Sequence, residues 1–297
     1  MTNNSSISGI QGLLAIPLSL LLLSATVFSS SVFGHAGIQE EIKEITRLIR
    51  QDPANAQLYL QRGDLYRIHQ DWDHAREDFH KALQAGTDDA SAETGLGRTC
   101  FDQGLHQQAL AHLNRALALQ PGNVRALVTR AKTWRVLGKP LATAADYTRA
   151  IRQFQSPREP LPEYYLQRAR AYAAAGDPHI GQALQGLDEG MQVLGNIQTL
   201  ALYAVELETQ RGNVEAALER LDTILAGSPR RESLLLQRGD ILLAANRNAE
   251  AQQEFLAAQA AIAALPLQRR HTRSMQQLAA ALTGRLQSAA QQDDHAQ

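Results

Sequence analysis

The chain carries no Lys, Arg, Asp or Glu before Glu40, and it holds a single cysteine, Cys100. A lone thiol excludes a disulfide framework, and no His/Cys cluster with zinc spacing surrounds it. Its expected place is as a small apolar filler in a helix interface. Aromatic residues are scarce, at 5%. Alanine and leucine fill the gap, and both favour helices over strands, so an all-α fold is expected. The net charge of −1 leaves no global basic field to attract nucleic acid. Also missing are a phosphate-cradling glycine loop, a GxSxG element, a HExxH helix and a Cys/His pair in a suggestive context. No enzyme, cofactor or metal centre is expected.

The uncharged N-terminal stretch contains an apolar run, Leu13 to Phe28 (LLAIPLSLLLLSATVF), followed by Ser29–Ser31 and then Val32, Phe33, Gly34, His35 and Ala36, which put small residues at cleavage positions. An apolar core followed by small residues reads as a secretory signal peptide within residues 1–36, cleaved near Gly34–Ala36, and it places the mature chain in the periplasm or outside the cell. Met1 to Ile10 lacks the usual Lys or Arg, which keeps an uncleaved membrane anchor as the alternative. Against the anchor, the run is shorter than the roughly 20 residues of a spanning helix, and Pro17 interrupts it.

Beyond this segment a fixed period appears. Gly63, Gly97 and Ala131 are 34 residues apart. So are Tyr66, Cys100 and Trp134; Phe79, Leu113 and Tyr147; and Ala82, Ala116 and Ala150. Each column has a packing reason. The small residue lets two antiparallel helices approach, and the bulky residue three places later fills the gap on the same face. Ala75 and Ala109 place a second close contact at the start of the following helix. Pro121 stops that helix before the next unit begins.

These columns resemble the tetratricopeptide repeat, with its small residue in the first helix, its aromatic positions, its alanines in the second helix and its terminal proline. The resemblance covers residues 38–265 and implies an α-solenoid of antiparallel helix pairs wound into a right-handed superhelix. A half-repeat helix is expected within 37–55. Six units follow within 56–265, at 56–89, 90–123, 124–157, 162–196, 197–231 and 232–265. The fourth contributes Ala169 and Tyr172 but is the poorest match, with Gly190 where alanine is usual. The sixth recovers the pattern with Gly239, Ala251, Phe255 and Ala258. Met275, Leu278, Leu282 and Leu286 form one stripe, so residues 266–286 read as a capping helix. Residues 287–297 read as a disordered tail.

The resemblance also implies that the first helix of each unit lines a concave wall, with positions 2, 5, 9, 12 and 13 facing inward. In units two to four these positions supply Arg98, Arg125, Lys132, Arg135 and Arg170, opposed by Asp102 and Glu163 only. Phe101, Val128, Val136 and Leu166 lie among them. Such a wall suits a protein or peptide partner, with an acidic extended segment or a C-terminal carboxylate as its complement. The paired asparagines and lysines by which chaperone-binding members hold carboxylates are absent; Leu60, Asp64, Thr94 and Arg98 stand in those places. Arg62, Arg130, Arg168 and Arg238 recur at position 7, which fits a structural ion pair. The chain is thus expected to be an exported scaffold or adaptor. A membrane-anchored assembly factor is the alternative.

His69, His74, His80, His106 and His112 do not fall at the three- or four-residue steps that bring ligands onto one helix face. Cleavage after Gly34 would expose His35 as an N-terminal residue, which gives a further alternative, copper binding through its amine and imidazole.

Overall fold

The computed structural model describes residues 29–86, 89–154 and 161–296, with side chains from Gly37 to Ala289 within those ranges. The apolar run Leu13–Phe28 and most of the proline-rich break after the third repeat lie outside them. Among the described residues there is no strand. The chain separates into two compact units, 1–99 and 100–297, with the boundary inside one helix.

The first unit holds α1 (Ser29–Gln51), α2 (Ala56–Ile68), α3 (Trp72–Ala85) and most of α4 (Asp89–Asp102). The backbone of α1 starts well before the Ile38 expected from the sequence and carries Ile45 and Ile49, both buried. Phe79 of α3 is 1% exposed and packs with Leu60, Ala75, Ala82, Ala92 and Leu96. It lies over Gly63 so closely that a methyl group there would come within 2.9 Å of the ring. Gly95 faces the same ring. Glycine is required here because one large side chain takes the volume of three.

The second unit continues with α5 (His106–Leu119), α6 (Val124–Val136), α7 (Pro140–Ile151) and α8 (Pro162–Ala174). A single 3-10 turn, Asp177–His179, leads to α9 (Ile180–Leu194). Then come α10 (Gln198–Gln210), α11 (Val214–Gly227), α12 (Glu232–Ala244) and α13 (Asn248–Ala264). A short α14 (Leu267–Arg270) precedes α15 (Arg273–Ala296). Helices pack against their sequence neighbours, as a stacked array requires. Cys100, Ala109, Leu113, Ala116 and Ala150 form one cluster, and Ala251, Phe255 and Ala258 belong to another. Ala131, Tyr147 and Ala169 are buried; Trp134 and Tyr172 are half-buried; Pro121 is exposed.

The fourth pair explains its own irregularity. Gly190 is buried against Tyr165, and a methyl on it would lie 2.8 Å from that ring and 3.0 Å from Leu200. In the first and sixth pairs the first helix supplies glycine and the second the aromatic ring, Gly63 with Phe79 and Gly239 with Phe255. The fourth pair keeps a small residue on the first helix and a large one on the second, with Ala169 and Leu187 buried in one cluster, and adds Tyr165 on the first helix against a glycine on the second. Gly190 is therefore a complement to Tyr165, at the place where Ala82 and Ala258 follow Phe79 and Phe255 in the first and sixth pairs.

A second periodic column lies in the turns. Gln70, Gly104, Gly138, Gly212 and Asn246 all have left-handed φ, between 59° and 78°. Each sits between the two helices of a pair. The amide that follows it reaches back five residues: Asp71 to the Tyr66 carbonyl at 2.8 Å, Leu105 to Cys100 at 2.8 Å and Lys139 to Trp134 at 2.9 Å. Asn213 to Glu208 and Arg247 to Leu242, each at 2.9 Å, repeat the pattern. This closes the first helix of each pair and turns the chain back in a fixed direction.

The expected disordered tail is corrected at its start. Helix α15 runs on to Ala296, and Ala289 is buried with Leu282 in the cluster of α11 to α13. Ala289 continues the stripe of Leu282 and Leu286 by one more turn, so the cap gains a contact that a leucine-only reading omits.

Candidate partner groove

The arginines of this chain fall into two sets. The first set is clamped. Arg62 donates through Nε and Nη2 to both oxygens of Asp78, each at 2.7 Å, and through Nη1 to the Thr46 hydroxyl at 2.9 Å. Arg130 grips Asp146 at 2.8 and 2.7 Å and reaches Asn114 at 2.8 Å. Arg238 pairs with Glu254 and, at 3.0 Å, with Asp222. In each case the partners lie sixteen residues ahead and sixteen behind, so one guanidinium ties three consecutive helices. Arg168 varies the theme, donating to Glu189 at 2.6 Å and to the Gly186 carbonyl at 3.1 Å. Asp78 and Asp146 are nearly inaccessible, at 2% and 3% exposure. A carboxylate so buried needs its bidentate partner.

The second set lies on the first helices of the second unit. Arg135, Arg170 and Lys132 are exposed, and none forms an ion pair with a described residue. Arg135 and Arg170, with Lys139, line a cavity of about 540 Å³ between α6, the start of α7 and α8. Its other lining includes Gln167 and Thr143 but no carboxylate. Arg170 also borders a second cavity, of about 570 Å³, walled by α8, α10 and α12. Leu166, Leu202, Tyr203 and Ile241 give this one an apolar floor, with Thr199 and Glu206 at its edge. The Arg170 guanidinium stands 5.7 Å from the centre of the Tyr203 ring. Burial raises the Tyr203 hydroxyl above its ordinary pKa, Glu206 adds to the rise, and Arg170 opposes it. Tyr203 is therefore neutral throughout the physiological range and acts as a stacking platform and hydrogen-bond donor.

Arg135, Leu166 and Arg170 are thus brought together along one continuous path. Arg125 and Lys132 are exposed on the same helix as Arg135. Phe101 and Val128 are half-buried and pack on the cluster around Leu113, with Phe101 tilted against His106. Arg98 belongs to the first unit, where its Nη1 meets Asp64 at 2.8 Å. It is therefore engaged, not an open base on a wall.

The sequence pattern missed the lower half of the groove. Counted from Ile197, three of the five inward positions fall on Ala201, Val205 and Glu208, all buried in the core, and only Thr209 lines the groove. Counted from Gln198, where α10 begins, they fall on Thr199, Leu202, Glu206, Thr209 and Gln210, all of which line the groove. The phase moves by one residue after the irregular fourth pair.

The histidines take ordinary roles. His74 holds Asp71 at 2.8 Å and stacks on Tyr66. Among the described residues no group of three His, Cys, Asp or Glu could hold a metal ion. The side chain of His35 lies outside the described residues.

The fold is that of a helix-repeat protein. The family model of the tetratricopeptide repeat matches residues 60–124 and 205–266. Human tetratricopeptide repeat protein 16 is 31% identical over 126 residues, which is 38% of this chain and 14% of that protein. The chain therefore matches only a short part of that relative. Among solved structures, the C-terminal part of a repeat-containing protein from Cytophaga hutchinsonii superposes with a TM-score of 0.60 at 13% identity, over 80% of this chain and 95% of that one. PilW, a type IV pilus biogenesis factor, gives 0.50 at 20% identity, over 68% and 90%. These structures share the fold.

Proposed function

We propose that the chain is a scaffold that takes an extended segment of another protein along the path from α6 to α12. The observation that carries this is the contrast between the two sets of arginines. Where a guanidinium has a structural task, the chain supplies a carboxylate for it; Arg135 and Arg170 are left open beside an apolar floor. An acidic segment or a C-terminal carboxylate is the natural complement, because the guanidinium fork matches a carboxylate in two hydrogen bonds. Apolar side chains of the segment would seat on Leu166, Leu202 and Ile241. Catalysis has no part in this reading.

The test is fluorescence anisotropy with Asp/Glu-rich peptides carrying Leu or Phe, each prepared with a free and an amidated C-terminus. Arg135→Glu with Arg170→Glu should weaken binding on the order of tenfold or more, with the loss shrinking as salt rises. Unchanged affinity ends the reading. A preference for the free C-terminus selects the terminal carboxylate over an internal acidic residue.

The same reading holds that the chain is exported, through an apolar leader at Leu13–Phe28 removed near Gly34–Ala36. Cleavage there leaves Ile45, Thr46 and Ile49, the residues by which α1 joins its neighbours, in the mature chain. The missing basic residues before Glu40 favour a second form, in which the segment stays as an anchor and the scaffold serves an envelope assembly. N-terminal sequencing decides: a start between His35 and Gly37 shows cleavage, and a start at Met1 or Thr2 shows retention. No helix among the described residues is long and apolar enough to cross a membrane.

A further inference from the structure

Around the sixth pair nearly every acidic group is spoken for. Arg247 holds Glu250 and Glu215, each at 2.7 Å, and Arg285 of the cap holds Asp240 at 2.6 Å. With Arg238 on Glu254 and Asp222, five arginines are left outside this pairing. Arg230 and Arg231 lie in the loop between α11 and α12; Arg269, Arg270 and Arg273 lie from α14 to the start of α15. None of them makes an ion pair with a described residue. All are exposed except Arg270, which is half-buried with its Nε donating to the Leu265 carbonyl at 2.7 Å. His271, also exposed, stands among them.

Two loops far apart in sequence meet here. Arg230 and Arg269 both line a cavity of about 200 Å³, together with the Thr272 and Ser274 side chains. The one carboxylate in its wall is Glu232, which is 6% exposed. Beside the arginines, Leu267 is 64% exposed, more than any other large hydrophobic residue among those described. An unpaired cluster of like charge repels itself, so a counter-charge from outside stabilises it.

We propose that this corner of the second unit docks onto an anionic phospholipid surface. The guanidinium groups take headgroup phosphates, with one phosphate at the mouth of the small cavity, and Leu267 enters the boundary between headgroups and acyl chains. Guanidinium forks match phosphate oxygens in pairs, and basic side chains near an anionic bilayer each add to attachment. The exposed leucine separates a bilayer from the other anions. A free phosphate would leave Leu267 in water, and an acidic peptide would find one apolar prong here and no trough to lie in. The site shares no residue with the groove and does not depend on it.

The test is co-sedimentation of the full chain with vesicles of phosphatidylcholine alone and of equal parts phosphatidylcholine and phosphatidylglycerol. The apolar Leu13–Phe28 segment contributes to both, so the quantity read is the gain on adding phosphatidylglycerol. A gain abolished by salt is expected. Arg269→Glu with Arg273→Glu should cut it on the order of a hundredfold. Leu267→Ser should cut it about threefold, and Glu232→Gln should raise it. Arg135→Glu with Arg170→Glu should leave it unchanged, which separates this surface from the groove. Circular dichroism of each variant confirms that it is folded. No gain, or a gain indifferent to Arg269 and Arg273, overturns the proposal. So does binding to polyglutamate with no gain on phosphatidylglycerol, which would make the surface a seat for acidic protein.

Discussion

The first and sixth pairs place a tight glycine-to-ring contact on the first helix, and the fourth pair places one on the second helix at a different column. In the first and sixth pairs a glycine on the first helix admits a phenylalanine from the second, Gly63 to Phe79 and Gly239 to Phe255. In the fourth pair Tyr165 on the first helix is admitted by Gly190 on the second. The stacked array thus requires a total volume at each interface, and either helix can supply it. The family model matches residues 60–124 and 205–266 and leaves nearly all of the third pair and the fourth between them.

The largest effect should come from features that the regular pairs share. Asp146→Ala leaves the nearly buried Arg130 without its carboxylate and should cost about 3 to 5 kcal/mol by urea unfolding. Replacing both residues by apolar ones of similar size should cost much less, which separates a structural clamp from a source of net stability. If Asp146→Ala is harmless, the first set of arginines is not structural. Phe255→Ala should cost a similar amount, about 3 to 5 kcal/mol, because Gly239 provides no atoms to refill the space.

The comparison itself is broken or upheld at Gly190. Alanine is the usual residue of the repeat at that place, yet Gly190→Ala should destabilise by about 1 to 3 kcal/mol, since the methyl meets the Tyr165 ring. Adding Tyr165→Leu should recover most of the loss. If Gly190→Ala stabilises the chain, the close approach of Tyr165 to Gly190 is not what holds the fourth pair.

The smallest effect sharpens the comparison of turns. Gln70 occupies a left-handed position at which Gly104 and Gly138 serve in the next two pairs. Gln70→Gly should stabilise by up to about 1 kcal/mol, as the relief of left-handed strain exceeds the added flexibility of the unfolded chain. Thermal unfolding of the two proteins side by side measures it. A loss of stability would show that the Gln70 side chain supports the turn.

Much of the fold is legible in the order of residues alone, because close packing in a repeat leaves its mark at fixed intervals. The spacing of Gly63, Gly97 and Ala131 says that small residues are needed once per helix pair. The column of left-handed turns is present in the same sequence at the same period. It escapes notice because Gln70 and Asn246 stand in it beside glycines, and only backbone geometry shows that they share a conformation. The arginines at position 7 suggest ion pairs, but their partners sixteen residues away on either side become visible only when three helices are laid together.

The site is legible to a smaller degree. Arg135, Leu166 and Arg170 follow from the repeat phase; Leu202 and Ile241 do not, because the phase moves by one after the fourth pair, and Tyr203 falls on no inward position in either phase. Sequence by itself determined the helices, their pairing and the period, since these depend on local propensity and on contacts repeated at constant separation. Tertiary structure alone decided which arginines are consumed and which stay open. Charge neutralisation depends on distance in space, and residues from Arg230 to Arg273 become neighbours only where two loops of the array come together.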